Sequence, residues 1–394
     1  MDDIKSTAKI VKDVLKILLV EDARTDADLL IRFLKKEIDL SYLRVWDRDT
    51  FIKALEENEY DLIIADQVLP QFSGIEAFRI SKEKNIPFIL ITGEVSESLL
   101  IEYTKEGIDD YILKNNLLRL PSAIKNVINK KNIERLHQEL KVAYEDIKNS
   151  INYAKIIQDA MLPEESVLHD NFPGSFIFYK PKDILSGDFY WIKKEEEVFS
   201  IAVADCTGHG IPGALLSMMG FNVLYEAVAT KKRVRPSEVL DRLNKQVRRI
   251  FNHGDITFSD GMDVAFCTID LKNKIMIYAG ANRPLVIERG KKLIEFKPDK
   301  NSIGGNYNNE KTFTNHTIPI ETGDRVFLFS DGYADQFSGK TNKKITVKRL
   351  KEVLIKSADL SFIESKELII NFFENWKDNE EQTDDVLLMC IQIP

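Results

Sequence analysis

Cysteine is scarce in this chain. Its 394 residues include three, Cys206, Cys267 and Cys390, too few and too scattered for a disulfide framework or a zinc cluster. Long apolar runs are missing too, and none approaches the ~20 residues that a membrane-spanning helix needs. The opening MDDIKSTAKIVKD is charged and lacks the apolar stretch of a secretory signal. No membrane association is expected, and the cytoplasm is the predicted location. Positive charge is not in excess: 55 Lys and Arg against 63 Asp and Glu leave a net charge of −8. That argues against a nucleic-acid partner held through a general basic surface. The local run Lys231-Lys232-Arg233 reads as a solvated face or loop.

What is present is a globular composition, 44% hydrophobic and 30% charged, on a chain too long for one ordinary core, so two domains are expected. Between residues 15 and 130, short apolar runs alternate with helical patterns. The strand candidates are Lys16–Val20, Tyr42–Trp46, Leu62–Ala65, Pro87–Ile91 and Ile108–Leu113; Asp26–Lys36 and Gly74–Glu83 have helical period. That alternation predicts a doubly wound α/β domain with a five-stranded parallel sheet. Ligands of such sheets sit at the carboxyl ends of the strands. There stand Glu21 and Asp22 after the first strand, Asp66 after the third, Thr92 after the fourth and Lys114 after the fifth. Three carboxylates brought together repel unless a divalent cation lies between them, and oxygen ligands suit magnesium. A hydroxyl and an ammonium beside that ion are placed to hold the oxygens of a phosphoryl group.

On these residues the segment resembles a two-component response-regulator receiver domain. The resemblance implies Glu21 and Asp22 as the acidic pair, Asp66 as phosphoacceptor and third ligand of Mg2+, and Thr92, Tyr111 and Lys114 as switch and phosphoryl-contact residues. Pro70 and Gly74 also fit the loop after Asp66. Asn115 stands where the family usually has proline. A cognate histidine kinase is the implied partner.

From Ile133, apolar positions step by three and four through Leu136, Leu140, Ala143, Ile147, Ala154, Ile157 and Met161, with Ser150 in the remaining slot. That 3.5-residue repeat predicts a coiled-coil helix and, since a narrow seam needs a partner, a parallel homodimer, with a helix packed on one of the domains as the alternative. The expected organisation is a tail over 1–14, the receiver over 15–130, the coiled-coil helix over 131–163 and a second domain over 164–394.

In that second domain, apolar strand patterns at Val198–Ala204, Val264–Ile269, Ile275–Tyr278, Val326–Phe329 and Val386–Ile393 are grouped with helical stretches at 212–229, 236–251, 346–357 and 362–376. The pattern predicts an α+β sandwich. Aspartates mark the strand edges: Asp188 in SGDFY, Asp205 in DCTGHG, Asp331 before Gly332, and Asp384 with Asp385 at the last strand. One aspartate after a strand is a turn former. A set of them with nothing basic beside it calls for hard divalent cations, and two such ions can activate one water. The carboxylates around Cys206 disfavour its thiolate, so it is not expected to act as a nucleophile.

These motifs, with AGAN at 279–282 and TDDV at 383–386, are similar to those of the metal-dependent PPM phosphatases, specifically the SpoIIE/RsbU-type branch. The segment Tyr153–Pro163 resembles that branch's leading helix. The resemblance implies a pair of β-sheets flanked by helices and two Mn2+ or Mg2+ ions. Asp205 would bridge both ions, the Cys206 carbonyl would complete one sphere, Asp331 and Asp384 would bind the second ion, and Asp188 would bind the first directly or through water. The family often has an acid where Trp191 stands. Asp260 and Asp263 are either ligands of a third metal or turn residues, and His209 is either a proton donor to the leaving alkoxide or structural. The implied activity is protein serine/threonine dephosphorylation gated by Asp66, with a phosphorylated STAS-type anti-sigma antagonist as substrate. The alternatives are hydrolysis of a small phosphorylated metabolite and a receiver-controlled scaffold without hydrolysis. A scaffold would be expected to lack one of Asp205, Asp331 or Asp384, and all three are present.

Overall fold

A computed structural model describes residues 14–93, 103, 105–229, 234–251, 260–305 and 312–394. The run Lys231–Arg233 and most of the expected N-terminal tail lie outside the described residues. The chain divides into two compact units, Met1–Glu145 and Asp146–Pro394.

In the first unit, β1 (Leu15–Val20), β2 (Leu40–Val45), β3 (Leu62–Asp66), β4 (Phe88–Thr92) and β5 (Asp110–Leu113) form one sheet in the order β2-β1-β3-β4-β5. Every neighbouring pair is parallel. The central strands β3 and β4 are buried along their whole length because helices cover both faces. Ile17, Leu19, Ile64 and Ile89 pack on one side with Ala27 and Ile31 of α1 (Arg24–Leu34). Leu18, Val20, Ile63 and Leu90 pack on the other with Phe51 of α2 (Arg48–Glu57) and Phe78 of α3 (Gly74–Ser81). The starts of α2 and α3 are capped by Asp47, which accepts from Thr50 N at 2.8 Å, and Ser73, which accepts from Glu76 N at 3.1 Å. Such caps satisfy amides that the helix itself cannot.

One uninterrupted helix, α4 (Leu120–Met161), carries the chain onward. Leu120, Ala123, Ile124 and Val127 belong to the first core. Farther along, Ile133, Leu140 and Ile147 are 67%, 68% and 62% exposed, an unpartnered apolar line within one chain.

The second unit is a sandwich of two antiparallel sheets. With β6 (Phe176–Lys180), β12 (Lys292–Phe296), β13 (Ile303–Gly304) and β14 (His316–Pro319) among their strands, one has the order β14-β10-β9-β8-β7 with β13 added beside β9; the other has the order β12-β11-β15-β16-β6. The strands that build the site are β7 (Phe189–Glu195), β8 (Val198–Cys206), β9 (Gly261–Asp270), β10 (Ile275–Ala281), β11 (Leu285–Arg289), β15 (Arg325–Phe329) and β16 (Val386–Gln392). Alternate residues explain the layering. Ile201, Val203, Ala265, Cys267, Ile287, Leu328 and Met389 meet between the sheets. Ala202, Ala204 and Phe266 face outward onto α6 (Gly210–Ala229) and α7 (Pro236–Phe251), through Leu216, Leu224 and Leu243. On the far side, Phe327 and Leu388 pack on α9 (Thr346–Lys356) and α10 (Phe362–Lys377) through Leu350, Ile369 and Phe373. The short helices α5 (Glu165–His169) and α8 (Gly332–Asp335) complete the unit.

The expectation about apolar runs needs correction. Gly210–Val228 within α6 is long and apolar enough to cross a membrane, by length and composition. Half of that stretch is buried in the unit, where Leu216, Val223, Leu224, Ala227 and Val228 join the core against the sheet, which accounts for its apolar character.

Candidate functional site

The first candidate site lies at the carboxyl ends of β1, β3, β4 and β5. Glu21, Asp22 and Asp66 bring oxygens within 4.8 Å of one another. Lys114 Nζ donates to Asp66 Oδ2 at 2.6 Å. Arg44 Nη1 pins the acidic loop by donating to the carbonyls of Glu21 at 3.0 Å and Asp22 at 3.1 Å. Burial, reinforced by the charge of Asp66, pushes the Glu21 carboxyl up to about 7. Thr92 Oγ1 donates to the Gln67 side-chain oxygen. The ring of Tyr111 lies 6.2 Å from that of Tyr103. The structure therefore brings Glu21, Asp22, Asp66 and Lys114 together, with Thr92 ending the strand that pairs with β3. Gln67 is an addition that the sequence reading did not single out.

The second candidate site lies where β8, β9 and the loops before β7, β11 and β16 converge. Asp205 near the end of β8 faces Asp263 of β9 in register. The Asp331 amide donates to Asp205 Oδ2 at 3.4 Å. Two glycines bring the loops this close. A Cβ at Gly187 would stand 2.6 Å from the Gly208 carbonyl oxygen, and one at Gly332 would stand 1.9 Å from that of Asp385. Only a residue without a side chain permits either approach.

Asp385 ties the loops together. It is buried and accepts from Gly187 N and Lys182 N, each at 2.7 Å. Asp384 stays partly exposed, its Oδ1 accepting from Asp385 N at 2.8 Å. A second brace comes from α4. Gln158, 3% exposed, donates from Nε2 to the Ser186 carbonyl at 2.7 Å and to Ser217 Oγ at 3.0 Å, and accepts from Ser186 N at 3.1 Å.

The electrostatics are those of acids forced together. Asp188 is 2% exposed, and its Oδ2 is buried without a hydrogen-bond partner. Burial and then the charge of Asp205 raise its carboxyl well above the usual range. Burial pushes Asp205 up to about 7, against the lowering pull of Arg283. Burial, then Asp205 and Asp188, lift the Cys206 thiol well above its ordinary value. That leaves the buried Cys206 unsuited to nucleophilic attack.

Contrary to the expectation from sequence, a basic group does stand beside these acids. Arg283 Nη2 lies 2.6 Å from Asp205 Oδ2, 2.6 Å from Asp331 Oδ2 and 3.4 Å from Asp263 Oδ2. Among the described residues no three carboxylates of this unit bring oxygens within 4.8 Å of one another. Asp263 also accepts from Asn282 Nδ2 at 3.0 Å and Ser302 Oγ at 2.7 Å. Asp260 offers its carbonyl to Gly305 N at 3.4 Å. His209 is half-exposed and engages Asp183 Oδ2 through Nδ1 at 2.6 Å and Lys182 Nζ through Nε2 at 3.1 Å. Trp191 is core, stacked 6.2 Å from Phe266.

The donor set fits divalent cations on two observations. Asp188 Oδ2 is a buried acceptor with nothing to accept from, a costly arrangement unless an ion or water completes it. The guanidinium of Arg283 already stands as a positive charge between Asp205 and Asp331.

Comparison with known proteins decides the family. The family described as Stage II sporulation protein E (SpoIIE) matches residues 195–394, just over half of the chain. The chain belongs to the SpoIIE family. Ahead of that SpoIIE domain, residues 17–125 match the response regulator receiver domain, so the architecture is a receiver followed by a SpoIIE-type phosphatase domain. The SpoIIE half is similar to the phosphoserine phosphatase RsbU of Bacillus subtilis, with 28% identity over 208 residues, 50% of this chain and 57% of that protein. The receiver half is similar to the uncharacterized transcriptional regulatory protein YcbL of the same organism, with 30% identity over 116 residues, 28% of this chain and 50% of that protein. The chain thus spans about half the length of these curated relatives. Among solved structures, the SiaA-PP2C domain of Pseudomonas aeruginosa superposes with a TM-score of 0.59 and 26% identity, covering 64% of this chain and 99% of that one.

Gln158, Arg283 and Asp385 carry more of this site than their sequence setting suggested. Gln158 had a signal: a polar side chain between Ala154 and Met161, on the apolar face of its helix.

Proposed function

We propose that this chain is a metal-dependent protein serine/threonine phosphatase whose activity is set by phosphorylation of Asp66. The observation that carries the reading is the buried Asp188 with its orphaned oxygen, beside Asp205 whose carboxyl is pushed up to about 7, with Arg283 joining Asp205 to the half-exposed Asp331.

Asp188, Asp205, Asp331 and Asp384, with the Cys206 carbonyl, would hold two Mn2+ or Mg2+ ions. Bound there, the ions supply charge neutralisation at phosphorus and an activated water. The chain's own residues do the positioning. Asp385 and Gln158 fix the Ser186–Asp188 loop from two sides, which keeps Asp188 in place while charge changes at the reacting centre. Hydrolysis adds water across the phosphoester P–O bond and returns the serine hydroxyl and inorganic phosphate. The His209–Asp183 pair stands on an exposed lip as a candidate proton carrier for the leaving oxygen. Asp263, which faces Asp205 in register across β8 and β9, is a better candidate for a third metal than Asp260.

Similarity to a protein named as a phosphoserine phosphatase supports a phosphoserine substrate. A STAS-type anti-sigma antagonist is the proposed protein that bears it. Asp66, beside Lys114 and the acidic pair, is the proposed phosphoacceptor for a histidine kinase, with Mg2+ between the carboxylates. The exposed line of Ile133, Leu140 and Ile147 on α4 supports a homodimer formed through this helix.

The test is release of phosphate from a phosphoserine STAS-type protein with added Mn2+, comparing wild type with Asp205→Asn. Turnover by wild type alone supports the reading. No turnover of any phosphoprotein by the wild type would replace it with the scaffold alternative.

A further inference from the structure

Arg283 is built into the acidic cleft. It sits in the turn between β10 and β11, where its amide donates to the Ala281 carbonyl at 2.7 Å and its own carbonyl accepts from Tyr278 Oη at 2.6 Å. Tyr278 is fully buried, so the base of the arginine is anchored. Its side chain is 14% exposed and spends one nitrogen, Nη2, on both Asp205 Oδ2 and Asp331 Oδ2 at 2.6 Å. Its Nε is buried and has no acceptor. The guanidinium fork is thus half used: one end is saturated with carboxylate, while a second donor is held out of water without a partner.

The two oxygens that Arg283 holds belong to residues proposed to bind divalent ions. A cation of charge two and a guanidinium cannot both sit within bonding distance of the same oxygens without strong repulsion. We propose that Arg283 is an exchangeable counter-cation: it competes with the divalent ion for Asp205 and Asp331, and once displaced it turns its fork to the phosphoryl group of the substrate. An arginine fork matches phosphoryl oxygens in geometry and charge, and the anchored turn keeps it at the edge of the same cleft. Arg283 would then set how much metal the site needs and bind the phosphoryl group when metal is present. This inference rests on the metal-dependent reading above.

The test is calorimetric titration of Mn2+ into the full chain, with Asp22→Asn introduced to weaken the receiver site. It is followed by titration of inorganic phosphate into the Mn2+-loaded protein. Arg283→Met is expected to tighten Mn2+ by about tenfold or more, the scale of a lost charge-assisted contact, and to weaken inorganic phosphate by a similar factor. Arg283→Lys, which keeps the charge without the fork, is expected to hold Mn2+ affinity nearer wild type and still lose phosphate binding. Should Arg283→Met fail to fold, the side-chain 15Nε resonance of Arg283, assigned by its absence in Arg283→Lys, is expected to move as Mg2+ fills the wild-type site. Unchanged or weakened Mn2+ binding in Arg283→Met, unchanged phosphate binding, or an unmoved resonance overturns the exchange. Failure of the wild type itself to bind Mn2+ would instead sink the metal-dependent reading on which it rests.

Discussion

Gln158 and Ser186 exchange two hydrogen bonds, the glutamine amide donating to the serine carbonyl at 2.7 Å and the serine amide donating back at 3.1 Å. A residue of α4 thereby completes the backbone of the loop that ends in Asp188. Gln158→Ala leaves the buried Ser186 amide without its acceptor and its carbonyl with only the long 3.4 Å bond from Ser217 Oγ, an unpaired buried group costing about 1–3 kcal/mol. Chemical denaturation is expected to show that loss, and Mn2+ affinity is expected to fall several-fold as Asp188 loses its fixed position. Gln158→Glu keeps an acceptor for the Ser186 amide and is expected to fall between the two. Unaltered Mn2+ binding in a stable Gln158→Ala protein would mean that the loop holds itself.

Gly332 has its Cα against the last strand, where a Cβ would lie 1.9 Å from the carbonyl oxygen of Asp385. Backbone cannot rotate away as a side chain can. Gly332→Ala is expected to destabilise the second unit by about 1–3 kcal/mol and to displace Asp331 from Asp205 and Arg283. Denaturant midpoints and phosphate release measure the two effects separately.

The raised Glu21 carboxyl gives a pH dependence with a definite sign. Its value in the folded protein, about 7, exceeds the ordinary 4.5. Between those values the folded state holds the extra proton, so without metal its contribution to stability declines as pH rises through that window. Magnesium requires the carboxylate. Binding at pH 6 is therefore expected to release a proton that binding at pH 8 does not, and Mg2+ affinity should rise across that interval. Calorimetry in two buffers of different ionisation enthalpy, on an Asp205→Asn background to weaken the second site, counts the proton. Glu21→Gln should abolish the difference.

Much of this was readable from the residues. β3 and β4 are continuous apolar runs because they are buried on both faces, and the acids that follow β1 and β3 stand out against them. The helices α6, α7, α9 and α10 appear in the sequence nearly at their observed limits. The strands the residue pattern left out are mainly short or lie at sheet edges: β12 (Lys292–Phe296) is mostly exposed and β14 (His316–Pro319) has four residues, too little periodicity to recognise. Arg283 was illegible for a different reason. Nothing local marks a turn arginine as the partner of an aspartate 48 residues away; only the closure of two sheets brings them together. Asp384 and Asp385 are adjacent and alike in sequence, and only the fold separates them, burying Asp385 as a clamp on Gly187 and leaving Asp384 partly exposed.

The apolar line on α4 predicts its own test. Replacing Leu140 and Ile147, which are 68% and 62% exposed, with aspartate removes the seam without touching either core. Sedimentation is expected to show a dimer for wild type and a monomer for the double variant, with helix content by circular dichroism little changed. A dimer that survives both substitutions would exclude the coil.

The central claim joins Asp66 to the acidic cleft. Its most direct test is the rate of Mn2+-dependent phosphate release from a phosphoserine STAS-type protein, with and without beryllofluoride, for wild type and Asp66→Asn. Beryllofluoride is expected to change the wild-type rate and to leave the Asp66→Asn rate as it was. A wild-type rate indifferent to beryllofluoride, with the compound shown to bind at Asp66, would contradict it.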